Sequence, residues 1–322
     1  MMFIRFLVLG LVASAGTLAQ AQPFPSKTVK IVVGFTAGGP SDIVARLVGQ
    51  QLSERLGKPV VVENRPGATG TIGADIVAKS KPDGYTLYLA SQTTHAVTPY
   101  MYQKVGYDPV NDFATVTLAM QNPLLVVAHP SLGVKSMQEL VALARAKPGA
   151  IDFATGGIGS SPHMSVELFK SLFGLNMVAV HYKGDSAATA DLLGGQVPVM
   201  FASIAGLLQH VQSGKLRGLA VTGAQRSAIA PEFPTIAESG LTGYQVITWF
   251  GLLVPAGTPA DVISKLHQET VQSLGLPQVK EQIAKLGMEV VGSTPEQFGA
   301  FLKEENARWS KVVRDLNLRA EQ

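Results

Sequence analysis

The stretch "GFTAGGPSD", Gly34 to Asp42, decides the fold. It follows the apolar run "VKIVV" and precedes "IVARLVGQQLSERLG", in which Val44, Leu47, Val48, Leu52 and Leu56 fall on one helical face. Pro40 and Ser41 suit the first turn of that helix, Gly57 suits its stop, and Gly38 and Gly39 permit a positive φ in the turn before it. A glycine turn between a strand and a helix leaves backbone N–H groups pointing outward, where they favour an anion. A phosphate loop would need a Lys after the glycines, a dinucleotide loop would need G-x-G-x-x-G, and neither is present. The turn therefore reads as a carboxylate cradle, acting through water, that performs no chemistry. Asp42, in the first helical turn, either complements the helix dipole, caps the turn or meets the ligand or its water.

Outward from this turn, "KPVVVENR" and "YTLYLAS" read as further strands, and strand–helix–strand alternation argues for parallel sheets covered by helices. The second half repeats the plan with the strand and turn "IDFATGG", the helix "SSPHMSVELFKSLFG" ending at Gly174, and the strand "NMVAVHYKG". Phe35 corresponds to Phe153 at an offset of 118, Gly57 to Gly174 and Gly67 to Gly184 at 117, and "LAS" (Leu89–Ser91) to "FAS" (Phe201–Ser203) at 112. Four landmarks in one order imply two similarly built α/β domains. The extended passages "AMQNPLLVVAHPS" and "TGYQVITWFGLLVPAGTP" are the crossings between them. Two helical patterns follow the second crossing, the latter opened by a Thr294–Gln297 capping box, and they pack back on the first domain. The expected domains are residues 22–124 with 245–322, and residues 125–244, hinged at two crossings as in a closing clamp.

The opening "MMFIRFLVLGLVASAGTLAQAQ" combines Arg5, an apolar run and the small-x-small site Ala19-Gln20-Ala21, so residues 1–21 read as an export signal cleaved after Ala21. The 322 residues carry 26 Lys and Arg against 23 Asp and Glu, and losing Arg5 lowers the net charge from +3 to +2, no footprint for nucleic acid. There is no cysteine, so the core alone stabilises an exported protein and thiol chemistry is excluded. No later segment is long enough to span a membrane. The six His residues form no HxH or HExxH pattern, and no metal or cofactor is expected.

Other polar loops stand at strand ends, where ligands bind open α/β sheets. "NRPGATGTIGAD" carries Gly67, Gly70 and Gly73 with Thr69 and Thr71, and "YKGDSAAT" is its counterpart. Lys183 there is either a solvated charge or a ligand contact. "ATGGIGSSPHM" places Ser160, Ser161 and His163 at a second helix start, and "ASQTTHAVTP" places Ser91 beyond the third strand. G-x-S-x-G is absent, so the Ser and His residues read as donors rather than as a nucleophile and base.

The segments "FTAGGPSDIVAR", "VVVENRPGATGTIGAD", "KPDGYTL", "YKGDSAATADLLGGQV", "GKLRGLAVTGAQRSAIAPEFPTIAESG" and "TWFGLLVPAGTP", in this order, resemble the tripartite tricarboxylate transporter substrate-binding proteins, the Bug family. The resemblance covers essentially the whole mature chain. It implies a type II periplasmic binding fold that holds a small carboxylate between two domains, often through ordered waters, and delivers it to membrane transporter subunits. A periplasmic, non-enzymatic monomer is expected. Carried over residue by residue, the resemblance implies ligand contacts at Phe35, Gly39, Asp42, Thr71 and Ser91 in the first domain and at Ser160, His163, Lys183 and Ser203 in the second. The helix start at Gly73 joins them as an anion-favouring N-terminus. Relatives often carry acids in the segment that here reads "GGQVPVMFAS", and Pro198 and Ala202 supply none. The ligand is therefore expected to lack an ammonium group. A secreted hydrolase or transferase using the Ser, His and Asp residues, and a ligand sensor for a signalling partner, are the alternatives.

Overall fold

A computed structural model describes residues 24–319, so the expected export signal over residues 1–21 lies outside the described residues. In chain order the elements are β1 (Val29–Val33), α1 (Pro40–Leu56), β2 (Val60–Asn64), α2 (Thr71–Ala78), β3 (Thr86–Ser91), α3 (Thr98–Met101), β4 (Phe113–Ala128), α4 (Met137–Ala146), β5 (Asp152–Thr155), α5 (Ser161–Phe173), β6 (Val178–His181), α6 (Asp185–Leu193), β7 (Val199–Ser203), α7 (Ile204–Gln212), β8 (Arg217–Val221), β9 (Ile247–Pro255), α8 (Ala260–Leu274), α9 (Pro277–Lys285), β10 (Glu289–Val290) and α10 (Pro295–Asp315).

Two similar sheets result. In the first, parallel strands β2, β1 and β3 continue into antiparallel β9, then β4 and the short β10. In the second, parallel β6, β5 and β7 continue into antiparallel β4 and β8. The repeat read from the sequence is thus a repeat of topology: the first strand lies central, the second outside it, and the third meets an antiparallel crossing strand. Both α1 and α5 end on a left-handed glycine, Gly57 at φ 63° and Gly174 at φ 62°. Gly67 and Gly184 share the same rare extended conformation at φ 135° and 105°.

Each sheet is covered on both faces, so successive residues of one strand enter different cores. Val29, Ile31 and Val33 pack with α1 residues Val44, Val48 and Leu52 and with α8, whereas Val32 points to the face of α2 and α10. In the second sheet Leu125 and Val127 pack with α6 and α7, and Val126 and Ala128 with α4 and α5. The cluster on the α2, α10, α4 and α5 side runs through both halves. In it Glu305 of α10, 2% exposed, accepts hydrogen bonds from both Trp249 and Trp309 at 3.0 Å, tying the last helix to β9. Burial raises the Glu305 carboxyl above its usual range. The capping box of Thr294 and Gln297 opens α10 as the sequence indicates.

The first crossing, expected as an extended passage, is one 16-residue strand. Its residues up to Pro123 pair with β9, and from Leu124 onward they pair with β7 and β8. The second crossing lies beside it, pairing Ile247 with Pro123 and Thr248 with Asn122. Thr222, fully buried, binds both chains where they change sheet. Its Oγ1 accepts from the Leu124 N–H at 2.8 Å, its N–H donates to the Leu124 carbonyl at 2.9 Å, and its carbonyl accepts from the Val246 N–H at 2.9 Å.

Removing that oxygen would leave the Leu124 N–H buried without a partner. Thr222→Val is expected to lower unfolding stability by about 1–3 kcal/mol, and Thr222→Ser, which keeps the oxygen, by clearly less. Urea unfolding of the three proteins checks the order, and equal losses in the two variants would refute it.

Candidate functional site

The carboxyl ends of both parallel strand sets face one another across a cleft of about 400 Å³. Most of the wall comes from segments that follow a strand: Phe35 after β1, Thr69 after β2, Thr93 after β3, Gly156 to Ile158 and Ser160 to Pro162 after β5, Asp185 after β6 and Ser203 at the end of β7. The crossing strands form the floor with Asn122, Leu124, Thr248 and Phe250, and Leu286 and Met288 close one side. Thr248 Oγ1 donates to the Asn122 carbonyl at 2.7 Å, and with its side-chain amide turned over Asn122 donates to the Gly287 and Pro123 carbonyls at 2.8 and 2.9 Å. A larger groove of about 840 Å³ runs between α8 and α10, but only elements of the first sheet's half wall it, and no glycine turn after a parallel strand opens into it.

Four helices start at the cleft: α1 at Pro40, α5 at Ser161, α6 at Asp185 and, just after Ser203, α7. Their aligned peptide dipoles place partial positive charge there. The lining contains no Lys or Arg, and Asp185 is its one ionisable side chain. Apolar residues, among them Phe35, Ile43, Leu124, Ile158, Phe250 and Met288, supply much of the remaining surface. Such a space suits a small molecule with an apolar body and an anionic end.

Of the ten residues expected at the site, Phe35, Ser160 and Ser203 line the cleft. Gly39, Asp42, Thr71, Gly73, Ser91, His163 and Lys183 stand outside the lining. Gly39 is the residue before α1 and takes φ −80°, an ordinary extended conformation, while the positive φ of 84° falls on Gly38. Of the two glycines that permit a positive φ, only Gly38 uses it, and a β-carbon on Gly39 would meet only the Thr36 carbonyl at 3.6 Å. Asp42 is 3% exposed, and its carboxylate accepts from Arg46 Nε and the Gly38 N–H at 2.9 Å and from Asn64 Nδ2 at 3.0 Å. The Arg46 hydrogen bond, followed by those from Gly38 and Asn64, holds it at about 2 against the opposing effect of burial. Asp42 thus fastens the glycine turn.

Gly73 serves close packing, since a β-carbon there would lie 3.0 Å from Gly34 Cα and 3.1 Å from the Arg65 carbonyl. Thr71 Oγ1 donates to the Ala68 carbonyl at 2.9 Å, and Ser91 pairs with Thr94 at 3.3 Å. Lys183 is exposed. His163 is 4% exposed, and its Nδ1 accepts from the Gly159 N–H at 3.1 Å, so it holds the cleft loop from behind. Ser160 caps the same helix by accepting from the His163 N–H at 3.3 Å.

Several cleft residues lie in the polar loops read from the sequence but are not among the ten expected contacts. Thr69 and its neighbour Ala68 have φ of 52° and 44°, a strained conformation for residues with a β-carbon, which is a frequent mark of functional loops. Thr93 opens a π-helical turn, Thr93–Val97, another local irregularity that concentrates at sites. Asp185 lies inside the quoted "YKGDSAAT" but carried no expectation. The expectation of a ligand without an ammonium group rested on Pro198 and Ala202; Ala202 is 3% exposed in the second core, and the acid that lines the cleft is Asp185. Among the described residues no group of three or more His, Cys, Asp or Glu could hold a metal ion, and no helix is long and apolar enough to cross a membrane.

Residues 44–318 match the family described as "Tripartite tricarboxylate transporter family receptor". The chain is 36% identical to Protein BugT of Bordetella pertussis over 307 residues, 94% of each chain. Its fold is similar to that of R. palustris Rpa4515, solved with adipate, at a TM-score of 0.76 and 35% identity, covering 90% of this chain and 97% of that one. It is likewise similar to MatC from Rhodopseudomonas palustris, solved with bound malate, at a TM-score of 0.74 and 32% identity, covering 90% of this chain and 100% of that one. The chain belongs to this Bug-type family of solute-binding receptors, not to an enzyme family, and its fold is the two-domain periplasmic binding fold.

The hold of His163 on the cleft loop requires a neutral Nδ1. Burial first, then the nearby His181 and Lys170, lower its pKa from 6.5 to about 4, with Glu167 3.9 Å from Nε2. Because the folded value lies below the unfolded one, this contribution is fully present above about pH 6.5 and is lost as pH falls toward 4. His163→Asn offers an acceptor that does not titrate. Inside this window the native protein is expected to lose about 1.4 kcal/mol more stability per pH unit than the variant. Parallel slopes in urea unfolding at a series of pH values would refute the assignment.

Proposed function

We propose that this member of the tripartite tricarboxylate transporter receptor family is exported to the periplasm, loses residues 1–21, and as a monomer captures a small organic carboxylate for delivery to the membrane subunits of a transporter. Residues 22–124 with 245–322 form one closing domain and residues 125–244 the other. The carrying observation is that four helix N-termini open into a cleft without a cationic side chain. Neutral donors and peptide dipoles then balance the anion, and the apolar walls accept its carbon skeleton. The adipate and malate seen in the two similar structures support the ligand class.

Phe35, Ser160 and Ser203 contact the ligand in this reading. Gly39, Asp42, Thr71, Gly73, Ser91 and His163 set the loops behind them, and Lys183 is a solvated charge. Closure turns on the paired crossings, because both wall sets are attached to the same two strands. A ligand favours the closed state only by the affinity difference between the two states.

Thermal-shift and calorimetric titration with carboxylates and their matched primary amides tests the reading. At least one carboxylate is expected to bind, its amide clearly less. At a ligand concentration about 100 times Kd, stability should rise by roughly 2.7 kcal/mol. Equal binding of acids and amides would remove the anion from the account.

A further inference from the structure

Asp185 has the features of a selecting group rather than of a helix cap. It opens α6 directly after Gly184, and no side chain caps that helix. Its residue surface is open to solvent through the cleft, yet the cleft walls desolvate its carboxylate and raise its pKa, with no charged or hydrogen-bonding partner acting against them. The backbone makes room for it: a β-carbon on Gly156, itself a lining residue, would overlap Asp185 Oδ1. The carboxylate is thus seated against the glycine loop on the second-half wall, in the cavity with Ser160, Ser161 and Ser203.

An unpartnered carboxylate on the cleft wall loses its water when a ligand fills the space, and that loss is relieved by a donor, most strongly by a cation. The lining supplies no cation, because it contains no Lys, Arg or His. A ligand with two carboxylates would add a like charge to this wall, and one with a purely apolar tail would leave Asp185 desolvated without a partner. A ligand with one carboxylate for the helix starts and one ammonium for Asp185 balances both.

We infer that Asp185 makes the cleft selective for zwitterionic amino carboxylates over dicarboxylates and simple monocarboxylates. The inference rests on the reading of the cleft as a carboxylate receptor and adds the second recognition point. Asp185 acts by accepting hydrogen bonds from the ligand ammonium, and no bond is made or broken in the ligand.

Calorimetric titration of the purified mature protein with six-carbon compounds separates the cases: caproate, adipate, ε-aminocaproate and norleucine. One of the two amino compounds is expected to bind at least about tenfold more tightly than caproate and adipate. Asp185→Asn, which keeps the shape and removes the charge, is expected to lose that preference and to bind adipate more tightly than the native protein does. Tighter binding of adipate than of both amino compounds by the native protein would overturn the inference and leave the receptor reading standing. An amino preference unchanged in Asp185→Asn would overturn the role of this residue. Binding of none of the four, nor of any acid in the wider carboxylate series, would overturn the receptor reading and this inference with it.

Discussion

One strand carries both halves of the molecule. Because β4 is continuous from Phe113 to Ala128, the position of one sheet relative to the other is set by a few backbone bonds around Pro123 and by Thr222, which ties Leu124 to Val246. Proline at the change of partner is physically apt. It has no N–H to leave unpaired where β9 hands over to β7 and β8. The next residues on either side, Asn122 and Leu124, face the cleft, so the joint between the sheets is also the floor of the site. A ligand resting there touches the very segment that any change of angle must bend.

Further contacts cross from one half to the other. Glu289 of β10 accepts from Ser227 Oγ at 2.8 Å and from the Ala228 N–H at 3.1 Å, while Gln121 of β4 donates to its other oxygen at 3.3 Å. Gly287, at φ 74°, lies so close to α7 that a β-carbon would come within 2.9 Å of the Ala205 nitrogen. Gly159 of the second-half cleft loop stands 3.0 Å, as a β-carbon would, from the Met101 sulfur of the first half. Glycine at these points permits approach of backbone to neighbour, and a side chain would hold the walls apart.

Much of the architecture was legible because period and punctuation agreed. The strand "VKIVV" alternates between two cores, α1 and α5 both stop at left-handed glycines, and the offset landmarks mark two copies of one topology. The long β4 was less legible, since a buried strand that changes partners midway is a continuous apolar run with a proline and has no period of its own. Side-chain direction was the least legible feature. Asp42 and Asp185 each stand in the first turn of a helix that follows a glycine, yet one is sealed by Arg46, Asn64 and the Gly38 N–H while the other faces the cavity unpaired. One local signal separates the two: Arg46 stands four residues after Asp42, where the helix brings it back to the carboxylate, whereas Thr189 stands there after Asp185. The rest of the difference comes from Asn64, 22 residues from Asp42, in one case and from the room that Gly156 leaves for the Asp185 carboxylate in the other.

That contrast also explains how a cleft can attract an anion while holding an acid. Helix dipoles act within a turn of their start, so each of the four N-termini biases a small region rather than the whole cavity. Asp42, though close to the start of α1, is neutralised by its own arginine and adds little field across the cleft. Asp185 has no such counterion and imposes its charge locally on the second-half wall. The cavity is therefore polar in a directional sense, favouring negative charge at the starts of α1, α5 and α7 and positive charge at the start of α6, where Asp185 offsets the dipole beside Gly156. A symmetric anion cannot satisfy both regions at once, whereas a ligand with unlike ends can do so in one orientation. Orientation would then follow from the placement of one carboxylate, and the apolar walls between the two regions would limit the ligand's length.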